Sequence, residues 1–248
     1  MARIHPSSIV DPRAELAEDV EVGPFCTVGA GVRIGAGTRL VSHVVVAGDT
    51  ALGAGNVLHP FCVVGGEPQV RSAVEPGRRA LVIGDRNVLR EHVTVNLSNV
   101  AGATVLGSDN LLMAGVHVAH DVELGSRCIL ANGVQLAGHV VVEDHVTFGG
   151  LSGVAQRLRV GQSAFVAAGA MCERDVPPFV IVQGDRARVR ALNVVGLERR
   201  GIEAASVAAL RRAFARLYVR RAGTLEAALA ELDVRDPHVA AFAAALRR

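Results

Sequence analysis

The sequence is poor in aromatic side chains and contains no tryptophan. Aromatic residues make up 3% of the 248 positions, although hydrophobic residues make up 50%. A core of ordinary size must therefore be filled by valine, leucine, isoleucine and alanine, and 27 glycines accompany them. This composition favours a regular fold that repeats one small packing unit.

An excess of charge of either sign is also missing. The formal net charge is +2 with acidic and basic residues interspersed, so the chain has no electrostatic footprint for a nucleic acid. Residues 1–6 lack the basic segment and apolar run of a signal peptide, and no run of about 18 apolar residues occurs. We therefore expect a cytoplasmic protein with no transmembrane segment and no nucleic-acid partner.

Several common functional motifs are absent. The four cysteines never form a C-x-x-C pair, which argues against a zinc ribbon or a dithiol redox site. Neither a G-x-S-x-G motif nor a phosphate-binding P-loop occurs. Hydride transfer and phosphoryl transfer lack their usual sequence support, and we expect neither a cofactor nor a metal.

An apolar residue instead recurs every six positions. The first run is Ile4, Val10, Leu16, Val22, Val28, Ile34, Leu40, Val46, Leu52, Leu58 and Val64. The period resumes at Ile83, Leu89 and Val95, and again at Leu106, Leu112, Val118, Leu124, Leu130, Leu136, Val142, Phe148, Val154, Val160 and Val166. A period of six fits neither an α-helix nor a long flat strand.

The hexad period predicts a triangular solenoid. Each hexad supplies one short strand and one corner, and three hexads close a coil of 18 residues. Glycine often follows the apolar position, and we expect it to permit the bend at the corner. Cys26, Cys62 and Cys128 each stand four residues after the apolar position, which predicts small core residues.

The period breaks twice, after Val64 and after Val95. The intervening residues include turn-forming and basic stretches, so we expect loops near 66–82 and 96–105. Loops on an otherwise regular rod are natural places for function.

After about residue 188 the pattern becomes helical. Apolar residues take i, i+3, i+7 and i+10 spacing, and stop and cap residues follow. These residues are Val207, Leu210, Phe214, Leu217, Gly223, Thr224 and the pair Asp236-Pro237. The sequence therefore predicts a β domain over 1–187 and an α-helical domain over 188–248, which covers the open end of the solenoid.

The 18-residue coil brings several polar residues together. Positions 18 apart lie side by side in successive coils, which places Gly138 next to His120. His139 directly follows Gly138 and is therefore also near His120. The predicted surface stripe consists of His117, His120, Gln135, Gly138, His139 and Gln156.

An imidazole in this stripe could act as a general base, because its ordinary pKa of about 6.5 lies near neutral pH. Asp121 directly follows His120, but side chains of adjacent residues diverge, so the sequence does not predict that Asp121 orients the ring. Each histidine could instead be a polar surface residue or bind a metal. Metal binding is disfavoured because no further cysteine or histidine stands at ligand spacing.

The chain resembles the UDP-N-acetylglucosamine acyltransferase family of lipid A synthesis in motifs that run in order along its whole length. The matching segments are 83–87, 107–113, 117–121, 128–132, 138–139, 175–178 and 193–201. A hexad repeat alone is shared by many transferases and carbonic anhydrases, whereas this series of motifs is specific.

The resemblance implies an all-β left-handed parallel β-helix with an α-helical C-terminal domain, against the usual right-handed crossover preference. It implies a homotrimer with active sites between subunits, acyl carrier protein as donor of a (3-hydroxy)acyl group, and a nucleotide sugar as acceptor. His120 matches the family's catalytic base, which deprotonates the 3-hydroxyl of the sugar for attack on the donor thioester.

Other residues match positions that line the donor and nucleotide-sugar site. They are Gln69, His117, Gly138, His139, Gln156, Asn193 and Arg199. Ala168 matches the small residue at which the family measures acyl length. Because the family can have glycine there, the added methyl group predicts a preference for chains of about 10 to 12 carbons.

Four positions depart from the family pattern, and each replaces a polar residue. They are Val70, Ser72, Ala155 and Val195. These losses fall on the acceptor side, and Arg71, Arg78 or Arg79 could replace the missing cation with different geometry. Two alternatives stay open: acylation of another nucleotide sugar, including at an amine, or a catalytically weak paralogue that binds acyl carrier protein or regulates a true acyltransferase.

Overall fold

The computed structural model describes residues 1–71, 76–220 and 223–247. Its β part consists of short strands, most of them two residues long. The first half contains β1 (Arg3–Ile4), β2 (Ile9–Val10), β3 (Glu15–Leu16), β4 (Glu21–Val22), β5 (Thr27–Val28), β6 (Arg33–Ile34), β7 (Arg39–Leu40), β8 (Val45–Val46), β9 (Asp49–Leu52), β10 (Val57–Leu58), β11 (Val63–Gly66), β12 (Arg79–Ile83), β13 (Val88–Leu89) and β14 (Thr94–Asn96). The second half contains β15 (Gly102–Leu106), β16 (Leu111–Leu112), β17 (His117–Val118), β18 (Glu123–Leu124), β19 (Ile129–Leu130), β20 (Gln135–Leu136), β21 (Val141–Val142), β22 (Thr147–Phe148), β23 (Gly153–Val154), β24 (Arg159–Val160), β25 (Phe165–Val166), β26 (Met171–Cys172), β27 (Val180–Gln183) and β28 (Arg188–Leu192).

These strands stack into three long sheets that form the sides of a solenoid. Sheet 1 has the order β1-β4-β7-β10-β13-β16-β19-β22-β25-β27-β28, sheet 2 the order β2-β5-β8-β11-β14-β17-β20-β23-β26, and sheet 3 the order β24-β21-β18-β15-β12-β9-β6-β3. Pairing is parallel except between β27 and β28, which are antiparallel, and Val22 lies beside Leu40, 18 residues later. The predicted hexapeptide-repeat β-helix is confirmed.

The interior of the solenoid is a column of the hexad residues. Leu40, Leu58 and Leu130 are fully buried, for example. Cys62 and Cys128 are buried among them, and burial raises the pKa of each thiol to about 12. Cys26 is buried in the same way, so the prediction of small core cysteines is confirmed.

The glycines after the hexad position serve close packing between coils. A Cβ on Gly23 would lie 1.9 Å from the Val41 carbonyl oxygen, and one on Gly35 would lie 2.7 Å from the Gly53 carbonyl carbon. Neither glycine has a positive φ, whereas the corner residue Asp121 has a φ of 58°. For Gly23 and Gly35 the expectation that glycine permits the bend is wrong, because the left-handed conformation occurs three residues after the hexad position, at non-glycine residues such as Asp121 and at glycines such as Gly37.

The two breaks in the period lie at the same edge of the solenoid. β12 and β15 are the longest parallel strands, and they pair along their whole length from Arg79 beside Gly102 to Ile83 beside Leu106. The segments 67–71 and 76–78 precede β12, and 97–101 precedes β15. Ser72 lies outside the described residues.

The C-terminal part is helical after β28. It contains α1 (Val194–Arg199), α2 (Ala204–Phe214), a π-helical turn (Ala215–Val219), α3 (Leu225–Ala230) and α4 (Pro237–Ala245). The predicted caps are confirmed: the Thr224 hydroxyl accepts the N–H of Ala227 at 3.2 Å, and the Asp236 carboxylate accepts that of His238 at 2.9 Å. None of the described helices is long and apolar enough to cross a membrane.

Candidate active site

A cavity of about 510 Å³ lies on the outer surface of sheet 2, over β17, β20, β23 and β26. Its lining residues are Gln69, His117, Ala119, His120, Gln135, Leu136, Ala137, Gly138, Gly153, Val154, Ala155, Met171, Cys172 and Glu173. The backbone register places His117 beside Gln135 and Gln135 beside Gly153. The predicted neighbours His117, His120, Gln135 and Gly138 therefore share one concave surface.

His120 is held by the residue that follows it. Its Nδ1 lies 2.7 Å from the Asp121 Oδ2, and the Asp121 side chain is only 8% exposed. Because Asp121 adopts a left-handed backbone at the corner, its side chain turns back toward the His120 ring instead of diverging from it. With Asp121 as acceptor, Nδ1 carries the proton and Nε2 keeps its lone pair.

Asp121 is itself fixed by backbone contacts. Its carboxylate accepts the N–H of Asn99 at 3.2 and 3.1 Å, and its own N–H donates to the Thr104 Oγ1 at 2.8 Å. The segment 97–101 between β14 and β15 thus supplies the N–H that holds the Asp121 carboxylate. Sequence reasoning did not assign Asp121 a role, and its position at a coil corner is the signal that could have found it.

The His120 ring sits between two residues of the next coil. The His139 ring meets it edge-on with 5.3 Å between centroids, and the His139 Nε2 lies 3.6 Å from the Asp121 Oδ2. A Cβ on Gly138 would lie 2.6 Å from the His120 Cε1. Glycine at 138 is therefore required for the close approach of the imidazole.

His117 lines the same cavity but has a different hydrogen-bond partner. Its Nδ1 lies 2.7 Å from the Thr94 Oγ1. Burial lowers the pKa of the His117 imidazole below its ordinary value, and the nearby His120 lowers it further. His117 is therefore suited to act as a neutral hydrogen-bonding group near neutral pH. His120, whose Nδ1 is bonded to a carboxylate, is the better candidate for the base.

Five predicted site residues are not among the residues that line this cavity: His139, Gln156, Ala168, Asn193 and Arg199. Gln156 is exposed beside Ala155, which does line the cavity. Ala168 is exposed at the corner after β25, and its backbone packs against Gly149 of the preceding coil. Gly153, Met171 and their neighbours at the far end were not identified from the sequence.

A second cavity, of about 440 Å³, lies on sheet 1 where α1 meets the solenoid. Its lining residues are Arg127, Ile129, His145, Thr147, Ser163, Phe165, Ile181, Asn193, Val195, Gly196, Arg199 and Arg200. The predicted residues Asn193 and Arg199 are thus on a different face of the chain from His120. The two cavities have no lining residue in common.

The second cavity is cationic. Arg200 donates to the Ser163 Oγ, and burial lowers the pKa of the Arg200 guanidinium. Burial, and then the charges of Arg200 and Arg127, lower the pKa of His145. Clustered guanidinium groups at a partly buried site bind phosphate or carboxylate well. Sequence reasoning missed Arg127, His145 and Arg200, although 127, 145 and 163 share one corner at the 18-residue spacing.

Asn193 joins this cavity to the helical part. Its Nδ2 donates to the Ser163 carbonyl at 2.9 Å, and its Oδ1 accepts the N–H of Gly196 at 3.1 Å as the N-cap of α1. The asparagine amide is therefore already hydrogen-bonded to the protein, which fixes α1 and with it the positions of Arg199 and Arg200.

One group of described residues has the composition of a metal site. Ligand atoms of His120, Asp121 and His139 lie within 4.8 Å of one another. The His120 Nδ1 and the Asp121 Oδ2 are hydrogen-bonded to each other, so a metal ion would have to replace the contact that orients the ring. The same geometry is suited to general-base chemistry, in which the carboxylate stabilises the protonated imidazole.

Comparison with known proteins gives concordant results. Residues 175–248 match the family model described as UDP N-acetylglucosamine O-acyltransferase, domain 2, and residues 103–138 match the model of bacterial transferase hexapeptide repeats. An acyl-acyl-carrier-protein–UDP-N-acetylglucosamine O-acyltransferase of Stenotrophomonas maltophilia is 45% identical over 88% of this chain and 83% of its own.

Solved structures agree with the sequence comparison. A UDP-N-acetylglucosamine O-acyltransferase from Moraxella catarrhalis has a TM-score of 0.92 and 35% identity, covering 98% of this chain and 96% of its own. A UDP-N-acetylglucosamine acyltransferase from Bacteroides fragilis has a TM-score of 0.93 and 29% identity, covering 99% and 97%.

Proposed function

Because the chain belongs to the UDP-N-acetylglucosamine O-acyltransferase family, we propose that it moves a (3-hydroxy)acyl group from acyl carrier protein to the 3-hydroxyl of UDP-N-acetylglucosamine in lipid A synthesis. The observation that carries this proposal is the His120–Asp121 pair, which leaves a basic nitrogen at the surface of an open cavity. The reaction would take place in the cytoplasm.

The His120 Nε2 accepts the proton of the sugar hydroxyl as its oxygen attacks the thioester carbonyl carbon. Asp121 stabilises the imidazolium that forms, in the way that a buried carboxylate does in hydrolase triads. The C–S bond then breaks, and the leaving sulfur takes the proton back from Nε2. The products are an ester and a free thiol, and His120 returns to its starting state.

The cationic cavity is suited to the diphosphate of the acceptor. Arg199 and Arg200 carry two guanidinium groups there, and Asn193 fixes the helix that bears them. This cavity lies on sheet 1, whereas His120 lies on sheet 2. A substrate that contacts both needs sheet 1 of one copy to face sheet 2 of another, which supports a homotrimer with shared sites.

The direct test is transfer of a radiolabelled acyl group from acyl carrier protein to UDP-N-acetylglucosamine, with the protein titrated against the acceptor. We expect acylation at the 3-hydroxyl and saturable acceptor binding. Binding without transfer at any donor concentration would instead indicate a paralogue that only binds or regulates.

Two apolar residues favour a second candidate, acylation of a different nucleotide (amino) sugar. Ala155 lines the His120 cavity and Val195 lines the cationic cavity, at positions where the family has polar residues. Each lost hydrogen bond to a charged group costs about 1.5–3 kcal/mol unless it is replaced. Parallel assays with amino-substituted nucleotide sugars distinguish the candidates, because preference for an amine acceptor by tenfold or more would overturn the first.

The loop substitutions offer a further discriminating experiment. If Val70 and Ser72 merely weaken binding of UDP-N-acetylglucosamine, Val70→Asp combined with Ser72→Lys should lower the KM for that sugar. If the site is shaped for another sugar, the double variant should leave the KM unchanged.

A further inference from the structure

A threonine of the preceding coil contacts His117 in the cavity. The backbone register places Thr94 of β14 beside His117 of β17, so both side chains leave sheet 2 on the same face. The Thr94 Oγ1 lies 2.7 Å from the His117 Nδ1, which is within hydrogen-bonding range. This contact occupies one of the two ring nitrogens and leaves Nε2 as the nitrogen available to a ligand.

The protonation of the His117 ring determines what Nε2 can do. Burial lowers the pKa of His117, and the nearby His120 lowers it further, so the ring is neutral near neutral pH. A neutral imidazole carries its proton on one nitrogen and a lone pair on the other. The group bound at Nδ1 therefore decides whether Nε2 donates or accepts a hydrogen bond.

The Thr94 hydroxyl makes this choice. A hydroxyl has one proton to donate, and the His117 Nδ1 is the one hydrogen-bond partner of the Thr94 Oγ1 within residues 1–71, 76–220 and 223–247. The hydroxyl satisfies its proton by donating to a lone pair on this nitrogen. Nδ1 of His117 is then the acceptor, and Nε2 carries the proton.

The two imidazoles of the cavity therefore have opposite tautomers. In His120 the proton is on Nδ1, because the Asp121 carboxylate accepts there, and Nε2 has the lone pair. Both rings line one cavity, and they lie near enough for His120 to lower the pKa of His117. A base and a neutral donor in one cavity match acyl transfer, in which one oxygen loses a proton while a carbonyl oxygen gains negative charge.

We propose that the His117 Nε2–H donates to the thioester carbonyl oxygen during acyl transfer, and that Thr94 is the positioning residue that keeps the proton on that nitrogen. This inference rests on the proposed acyltransferase function. As the sugar oxygen bonds to the carbonyl carbon, the π electron pair moves to the carbonyl oxygen and the sugar proton moves to His120. The C=O bond re-forms as the C–S bond breaks, and the sulfur takes the proton from His120. His117 keeps its own proton throughout.

The first test compares two substitutions of Thr94. Thr94→Val keeps the shape without the hydroxyl, so the proton distributes between both nitrogens, and kcat should fall about 2- to 12-fold with little change in the acceptor KM. Thr94→Ser keeps the hydroxyl and should retain kcat within about twofold. Thr27→Val, at an exposed position of β5 on the same face of sheet 2 and outside both cavities, is the matched control. An unchanged kcat in folded Thr94→Val, or an equal loss in Thr94→Ser, would overturn the inference.

Replacing the donor itself should have the larger effect. His117→Phe removes the N–H and should lower kcat by about 10²- to 10³-fold, the usual effect of losing a donor to a developing oxyanion. His117→Gln offers an amide N–H and should retain more activity than His117→Phe. Unchanged circular dichroism and melting temperature establish that each variant is folded. Near-full activity in folded His117→Phe would overturn the inference.

Nitrogen NMR of protein with isotope-labelled histidine reports the tautomer without turnover. The signals of His117 are those that disappear in His117→Gln. Near neutral pH we expect the proton on Nε2 in the wild type and in Thr94→Ser, and an increased Nδ1–H population in Thr94→Val. A wild-type ring with its proton on Nδ1 would overturn the inference.

The spectrum and the assay together separate this inference from the proposed function. The expected tautomer in a protein that transfers no acyl group to any nucleotide sugar would overturn the proposed function. An active enzyme in which Thr94→Val changes the tautomer without lowering kcat would overturn only the inference.

Discussion

The two faces of the solenoid that carry the cavities follow the same repeat and yet offer opposite chemistry. The corner beside sheet 2 places His120, Asp121 and His139 together. The His120 ring has the Asp121 carboxylate as partner at Nδ1, which leaves Nε2 for a substrate. The corner beside sheet 1 places Arg127 and His145 near Arg200, where positive charges accumulate. The first face is suited to moving a proton and the second to holding an anion.

This difference shows that the buried positions of the repeat specify the fold, whereas the positions at its outer surface specify the chemistry. Different apolar residues fill the hexad position and are equally buried in the core, as are Leu130 and Val118. The residues with a left-handed backbone, such as Asp121 and His145, stand at the corners outside this core. The residues of both candidate sites therefore include corner residues of neighbouring coils.

The largest effect should come from removing the base on the sheet 2 face. We expect His120→Ala to lower kcat by about 10²- to 10⁴-fold with little change in acceptor KM, because a general base acts in the transition state. The steady-state rate of acyl transfer is the measurement. His43→Ala, which changes an exposed corner histidine outside both cavities, is the matched control. Near-full activity in folded His120→Ala would remove His120 from the mechanism.

Removing a cation from the sheet 1 face should act on binding instead. Losing one charged hydrogen bond costs about 1.5–3 kcal/mol, so Arg200→Ala should raise the acceptor KM by about 10- to 150-fold. The kcat at saturating acceptor should change much less. Arg13→Ala, on an exposed residue of the first coil, controls for loss of charge. A fall in kcat with an unchanged KM would contradict the division of labour between the two faces.

Mixing the two variants asks whether the faces meet across subunits. If a site combines His120 of one subunit with Arg200 of the next, random trimers of His120→Ala and Arg200→Ala contain about a quarter of intact sites. Co-refolding the variants in equal amounts and assaying at low acceptor concentration should restore about a quarter of wild-type activity. If both residues serve one site within a chain, no mixture should exceed the mean of the separate variants.

The smallest effect should be a pH dependence of stability. The pKa of His117 is lowered by burial, so on acidification through about 6.5 the unfolded chain binds a proton before the folded one does. The stability associated with neutral His117 is therefore present above pH 6.5 and is lost as pH falls through the lowered pKa. We expect the melting temperature of His117→Gln to fall less than that of the wild type between pH 7.5 and 5.

His145, in the cavity on sheet 1, provides an independent test of the same effect. The pKa of His145 is also lowered, so His145→Gln should reduce the acid sensitivity in the same direction. His43→Gln, at an exposed corner, serves as the control. If the acid sensitivity of both cavity variants equals that of the wild type, neither histidine is held neutral by the fold.

Part of the candidate site followed from the repeat, and part did not. Adding 18 to 117 and 120 places Gln135 and Gly138 in the cavity, because strand stacking converts sequence distance into spatial neighbourhood. The same arithmetic applies to 127, 145 and 163, but nothing in the pattern marked that corner as functional.

By itself the sequence determined the solenoid, its 18-residue coil, the buried cysteines and the helix caps at Thr224 and Asp236. Each of these depends on residues close in the chain or on a fixed period, so local chemistry is sufficient to specify it. Only the tertiary structure decided that Asp121 turns back to His120, since that depends on the corner backbone. It also decided that Asn193 and Arg199 lie on the other face, because the path of the chain after the last coil determines where α1 packs.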